Sequence, residues 1–142
     1  MDWKSEAIDK LQQYRVKQNA LKSIPVEISE IDSNIACIKK NSQEIGNETS
    51  GQEDMLLNCI ARKGELQRNF QNAQVWVNIV DNALETLEEN ERDILSRLYI
   101  SKKRITEEYL AEECCVTART IRRWKDSALR NFTMSLYGFT ES

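Results

Sequence analysis

Residues Thr106 to Arg130 read TEEYLAEECCVTARTIRRWKDSALR. The layout is two short helices joined by a tight break. Thr106 offers a capping hydroxyl to the first helix, which sets Tyr109, Leu110 and Cys114 to one side. The break falls at Cys114-Cys115-Val116, and Thr117 then supplies a second N-cap. Beyond it Ile121, Trp124 and Ala128 recur at helical spacing, while Arg119, Arg122 and Arg123 occupy the opposite face. A helix that enters the major groove of DNA needs a docking side and a reading side, and this pattern supplies both. Cys115 stands where the backbone of such a turn goes left-handed. Glycine is the residue suited to that conformation, so a cysteine there costs about 1 kcal/mol.

Working outward, Glu88 to Tyr99 reads as a helix leading into this motif. Ile94, Leu95, Leu98 and Tyr99 are expected to form a core with Leu110, Val116, Ile121 and Trp124, and Tyr109 is assigned to the core as well. Ser101-Lys102-Lys103-Arg104 is a basic connection. Past Arg130, the residues Phe132, Met134, Leu136 and Tyr137 continue the last helix to a stop at Gly138, leaving 139–142 as a tail expected to be disordered.

With Thr117 as cap, the first turns of the second helix present the groups that meet base edges. Arg119 and Arg122 are assigned to bases, since arginine reads guanine through a bidentate pair with about 1–3 kcal/mol of discrimination. Arg123 is assigned to a base or a phosphate, and Ala118 to a thymine methyl. Thr117, Thr120, Lys125, Lys102, Lys103 and Arg104 are phosphate candidates. The plain alternative is a solvated arginine face paired with Glu112, Glu113 or Asp126.

From Leu84 to Leu129 the chain resembles region 4 of bacterial sigma factors. The resemblance rests on Leu-Glu-Glu-Asn-Glu-Arg-Asp-Ile-Leu-Ser-Arg-Leu-Tyr (Leu87 to Tyr99), on Thr106-x-Glu108-x-Leu110-Ala111-Glu112-Glu113, and on Val116-Thr117-x-Arg119-x-Ile121-Arg122-Arg123. By layout the whole chain is similar to small phage-encoded transcriptional regulators of the ArpU and RinA type. These place a long helical half before a half like sigma region 4. The resemblance implies a helix-turn-helix that meets promoter DNA beside RNA polymerase. One of the corresponding sigma positions is usually acidic where this chain has Arg119, so the −35 sequence preference is not carried over. No stretch reads as the sigma segment that melts the −10 region, so a regulator is expected rather than a complete sigma factor.

The residues before the motif read as its frame. Trp3, Ala7, Leu11, Tyr14, Gln18 and Leu21 recur every three or four residues. Pro25 predicts a kink or a restart. Isoleucines then follow at 24, 28, 31, 35 and 38, a heptad seam. Asn41 to Asp54 is polar, holds two of the four glycines and reads as a mobile loop open to proteases. From Met55 to about Glu89 the seam is Cys59, Lys63, Leu66, Phe70, Ala73, Val77, Val80, Leu84 and Leu87, with Lys63 its one charged slot. Gly64 is expected to loosen the first turns by about 1 kcal/mol relative to alanine. The simplest arrangement is an antiparallel hairpin. Trp76, Ile79 and Ile60 lie off its seam and call for a cover, most simply a second subunit.

The net charge of −3 alone would argue against nucleic acid, but its distribution does not. Residues 1–101 balance to −5, residues 102–130 to +3, and the last twelve to −1. The chain has no histidine, so it lacks the commonest general base and metal ligand. No phosphate loop, nucleophile set or metal spacing is present, and the carboxylates Glu88, Glu89 and Glu91 read as a solvated face. Cys37, Cys59, Cys114 and Cys115 read as buried or half-buried free thiols, and the hairpin allows a contact between Cys37 and Cys59.

The expectation is an all-α chain: a long N-terminal antiparallel helical hairpin over 1–83 with oligomerising character, then a helix-turn-helix domain over 84–138. The expected activity is sequence-specific regulation of transcription, most like a phage late-gene activator, with no enzyme activity, cofactor or metal. Expected partners are double-stranded DNA, RNA polymerase and a second copy bound through the N-terminal helices. No membrane span is expected, and the expected location is the cytoplasm of a bacterial host. A phage small terminase subunit and a helical protein adaptor are the alternatives.

Overall fold

The computed structural model describes residues 2–45 and 50–138, and among these described residues there are two long helices and three shorter ones. They are α1 (Trp3–Ile45), α2 (Ser50–Glu85), α3 (Glu89–Leu95), α4 (Glu107–Cys114) and α5 (Ala118–Tyr137). A wide π-helical turn, Ser96–Ile100, extends α3. Among the described residues there is no strand, and the class is all-α with a long N-terminal helix pair.

Two expectations about the long helices need correction. Of the kink or restart expected at Pro25, the restart is absent: Pro25 lies inside α1, where its missing N–H removes one bond to the preceding turn. The stretch 41–54, which reads as a loop, is helical at both ends, to Ile45 and from Ser50. Polar residues suit a solvated helix as well as a loop, so composition alone does not separate the two. Residues 46–49 and the tail 139–142 lie outside the described residues.

The chain packs as two compact units. One joins Met1–Lys17 to Trp76–Ser142, and the other is Gln18–Val75. A cut at residues 83/84, drawn from motifs, therefore differs from the division drawn by packing.

Within Gln18–Val75, Ile24, Leu66 and Ala73 are buried, while Ile28, Ile31, Ile35 and Ile38 are half-buried. Two cross-helix ion pairs join α1 and α2 here: Glu27 meets Arg62 at 3.7 Å and Asp32 meets Lys63 at 2.6 Å. The charged slot in the seam thus has a counter-ion. Such exposed pairs contribute about 0–1 kcal/mol each, so the apolar seam carries the association. Val26, Leu57 and Ile60 stay largely exposed.

In the other unit, the start of α1 is part of the core. Ala7 and Leu11 are fully buried, Tyr14 nearly so, and the Tyr14 hydroxyl donates to the Asp81 carboxylate. Lys10 lies over the Trp76 ring at 4.2 Å and Lys17 at 5.6 Å, so Trp76 is shielded by cations of its own chain. Ile94, Leu98, Leu110, Ala111 and Ile121 form a buried cluster, with Tyr99, Ile105, Val116 and Ala118 packed against it. Further along α5, Ala128, Leu129 and Phe132 are fully buried. The buried Thr133 hydroxyl is satisfied by the Leu129 carbonyl at 2.8 Å. Gly138 ends α5 with φ of 81°, and its N–H donates to the Met134 carbonyl at 2.7 Å, the C-terminal stop expected of a glycine.

Candidate nucleic-acid interface

The break between α4 and α5 is built by caps. The Thr106 hydroxyl accepts from the Tyr109 N–H at 3.1 Å, and the Thr117 hydroxyl from the Thr120 N–H at 3.2 Å. Each cap satisfies a donor that the helix start leaves open. Between them Cys115 sits at φ 58°, ψ 41°, the left-handed region, and is the one non-glycine residue with positive φ among the described residues. Its N–H donates to the Glu112 carbonyl at 3.2 Å, and the Val116 N–H to that of Ala111 at 3.0 Å. This pair of bonds is a Schellman closure, with Val116 packed on the core as the accompanying apolar contact. The chain therefore turns sharply after α4, and Arg119 in the first turn of α5 stands at the surface.

Burial along α5 defines its faces. Ile121, Ala128, Leu129 and Phe132 point inward. Arg119, Arg123 and Arg130 fall at four- and seven-residue steps along one exposed edge. Among the described residues none of the three has an ion-pair or hydrogen-bond partner. Arg122 differs: its Nε lies 3.3 Å from the Glu107 carboxylate. Lys102, Lys103 and Arg104 are exposed in the connection before α4, also without partners among the described residues.

Several assigned side chains take other roles. Lys125 is an internal strut, its Nζ bonded to Glu107 at 2.7 Å and its side chain largely covered. Burial alone would lower its pKa, but the hydrogen bond to Glu107 and nearby negative charge outweigh that and hold it above the usual lysine value. Ala118 is half-buried and packs against the core cluster. Thr120 is half-buried and shares its hydroxyl with that of Thr117 at 2.9 Å.

Trp124, Tyr109 and the cysteines are corrections. The spacing points both rings to the core, yet they are 40% and 57% exposed. On the eight-residue α4, Ala111 rather than Tyr109 shares the inward face with Leu110. Trp124 sits at the margin of the inward stripe of α5, where a large ring overhangs the edge. There it lines a groove of about 390 Å³ with Glu88, Glu91, Asp93, Ile94 and Asn131. Cys37, Cys114 and Cys115 are exposed rather than buried and only Cys59 is half-buried; all four are free thiols.

The two exposed edges of α5 thus differ in sign. One carries unpaired arginines; the other borders a groove walled by carboxylates. A polyanion would be drawn to the first and repelled from the second. Sequence reasoning misses Glu107 and Arg130. Arg130 is legible, since it falls seven residues after Arg123 on the same face. Glu107 is not, because pairing with Arg122 and Lys125 needs α4 folded back onto α5.

Comparison with protein-family models, with curated proteins and with solved structures finds no match to this chain. No described helix is long and apolar enough to cross a membrane.

Proposed function

We propose that the chain is a sequence-specific DNA-binding regulator of transcription. The observation that carries this reading is the capped, left-handed turn at Cys115 that leads into a helix with an unpaired arginine edge. A core of α3, α4 and α5 holds that edge outward. In this reading the start of α5 enters the major groove. Arg119 meets base edges, and Arg123 meets a base or the backbone. Lys102, Lys103 and Arg104 contact phosphates. Arg122 reaches a base only by exchanging its Glu107 partner, so Arg119 is the principal reader.

The resemblance to sigma region 4 extends the reading to a phage-type late-gene activator working at promoters beside host RNA polymerase. The acid-walled groove repels a polyanion and is the surface left for such a protein partner. A second copy joined through the N-terminal helices also belongs to this reading. It is supported by the half-buried isoleucine seam and by Ile60 and Ile79, each about half exposed. The bacterial cytoplasm is the location that fits these partners.

Selection of bound fragments from random duplex DNA tests the reading. Recovery of one recurring site is expected, with a symmetry that reports the stoichiometry. Arg119→Ala should relax base preference at one position, costing about 1–3 kcal/mol on the selected site. Lys103→Ala should instead weaken all sequences alike and reduce the salt slope by about 1. Wild-type binding of the selected site by both variants would remove this face from the interface.

A further inference from the structure

Arg130 and the first turn of α1 meet beside the arginine edge of α5. A cleft of about 280 Å³ is lined there by Trp3, Lys4, Arg123, Asp126, Ser127 and Arg130. We infer that this cleft holds a phosphodiester of the DNA backbone, so that the N-terminus of α1 forms part of the DNA surface. The inference rests on the reading of α5 as the DNA-facing helix. It adds to that surface a side chain, Lys4, which is far from α5 in sequence but beside it in the fold.

The chemistry of the cleft favours an oxyanion. Arg123, Ser127 and Arg130 share one face of α5 at four- and three-residue steps. The one carboxylate in the cleft, Asp126, is taken by Lys4, whose Nζ lies 3.3 Å away. The guanidinium groups of Arg123 and Arg130 are left without a partner among the described residues. Two open guanidinium groups, a hydroxyl and an ammonium with donors to spare suit a phosphate oxygen set. Arg123 belongs both to the cleft and to the edge that begins at Arg119, which favours the backbone of the same duplex over a separate small anion.

The test uses the full chain and a labelled mixed-sequence duplex, with affinity measured by fluorescence anisotropy over a series of salt concentrations. In the double variant Lys4→Gln, Arg130→Gln the salt slope should become shallower by about 0.9 for each phosphate that is no longer neutralised, with base preference unchanged. Asp126→Asn should do the reverse and tighten binding to every sequence, a gain that misfolding would not produce. Wild-type slope and affinity in both variants, with Arg119→Ala still altering base preference, would overturn the cleft and leave the reading of α5 standing. Absence of salt-dependent affinity in the unaltered chain would overturn both.

Discussion

Cys115 holds a left-handed backbone without the residue best suited to it. Glycine at this position avoids the Cβ clash, offset in part by the greater freedom it gives the unfolded chain. Cys115→Gly should therefore stabilise the fold by about 1 kcal/mol, seen as a higher denaturant midpoint at unchanged slope. An unchanged or lower midpoint would mean that the thiol contributes more than its backbone costs. Lys125 and Tyr99 give a second test. Burial pulls the Lys125 pKa down, but the hydrogen bond to Glu107 and the nearby negative charge together keep it high, while burial itself raises that of Tyr99. For both groups the raised folded pKa means stability that is fully present below the unfolded value and lost as pH climbs through the folded one. The thermal midpoint should fall as pH passes about 10, and fall less in Lys125→Met. An equal fall in that variant would place the alkaline sensitivity elsewhere.

The first helix does two jobs, since its opening turns complete the core of the unit that holds α3, α4 and α5. Leu11 is fully buried there. Leu11→Ala should cost about 2–5 kcal/mol and should be felt in the unfolding of the helix-turn-helix, followed by Trp124 fluorescence in a chain with Trp3 and Trp76 replaced by phenylalanine. Loss of helix signal with an unshifted Trp124 transition would show that the opening turns do not support the motif. Much of this architecture is legible from local chemistry. Thr106 and Thr117 announce helix starts, Gly138 a stop, and the break before Val116 a left-handed turn. Leu110, Ile121 and Ile94 show their inward faces by spacing. What escapes is set by distance or by margins. Periodicity places Trp124 near the inward stripe, but a ring at the border can lie on either side. The pairing of Lys4 with Asp126 joins residues more than a hundred positions apart, for which no local signal exists.

Charge organises the proposed activity of the molecule as a whole. A chain of net charge −3 meets a polyanion only where its cations are gathered and its carboxylates are neutralised or turned aside. Glu107 is occupied by Arg122 and Lys125, Glu113 by Arg97 and Asp126 by Lys4. Arg119, Arg123 and Arg130 are left as the open positive edge of α5. The central claim is that this edge faces DNA. Titration of a selected duplex into isotope-labelled protein, followed by amide resonances, tests it most directly. The largest shifts should fall on Thr117 to Arg123 and on Lys102 to Arg104. Shifts confined to residues 18–75, or to the groove around Glu88 and Asp93, would contradict it.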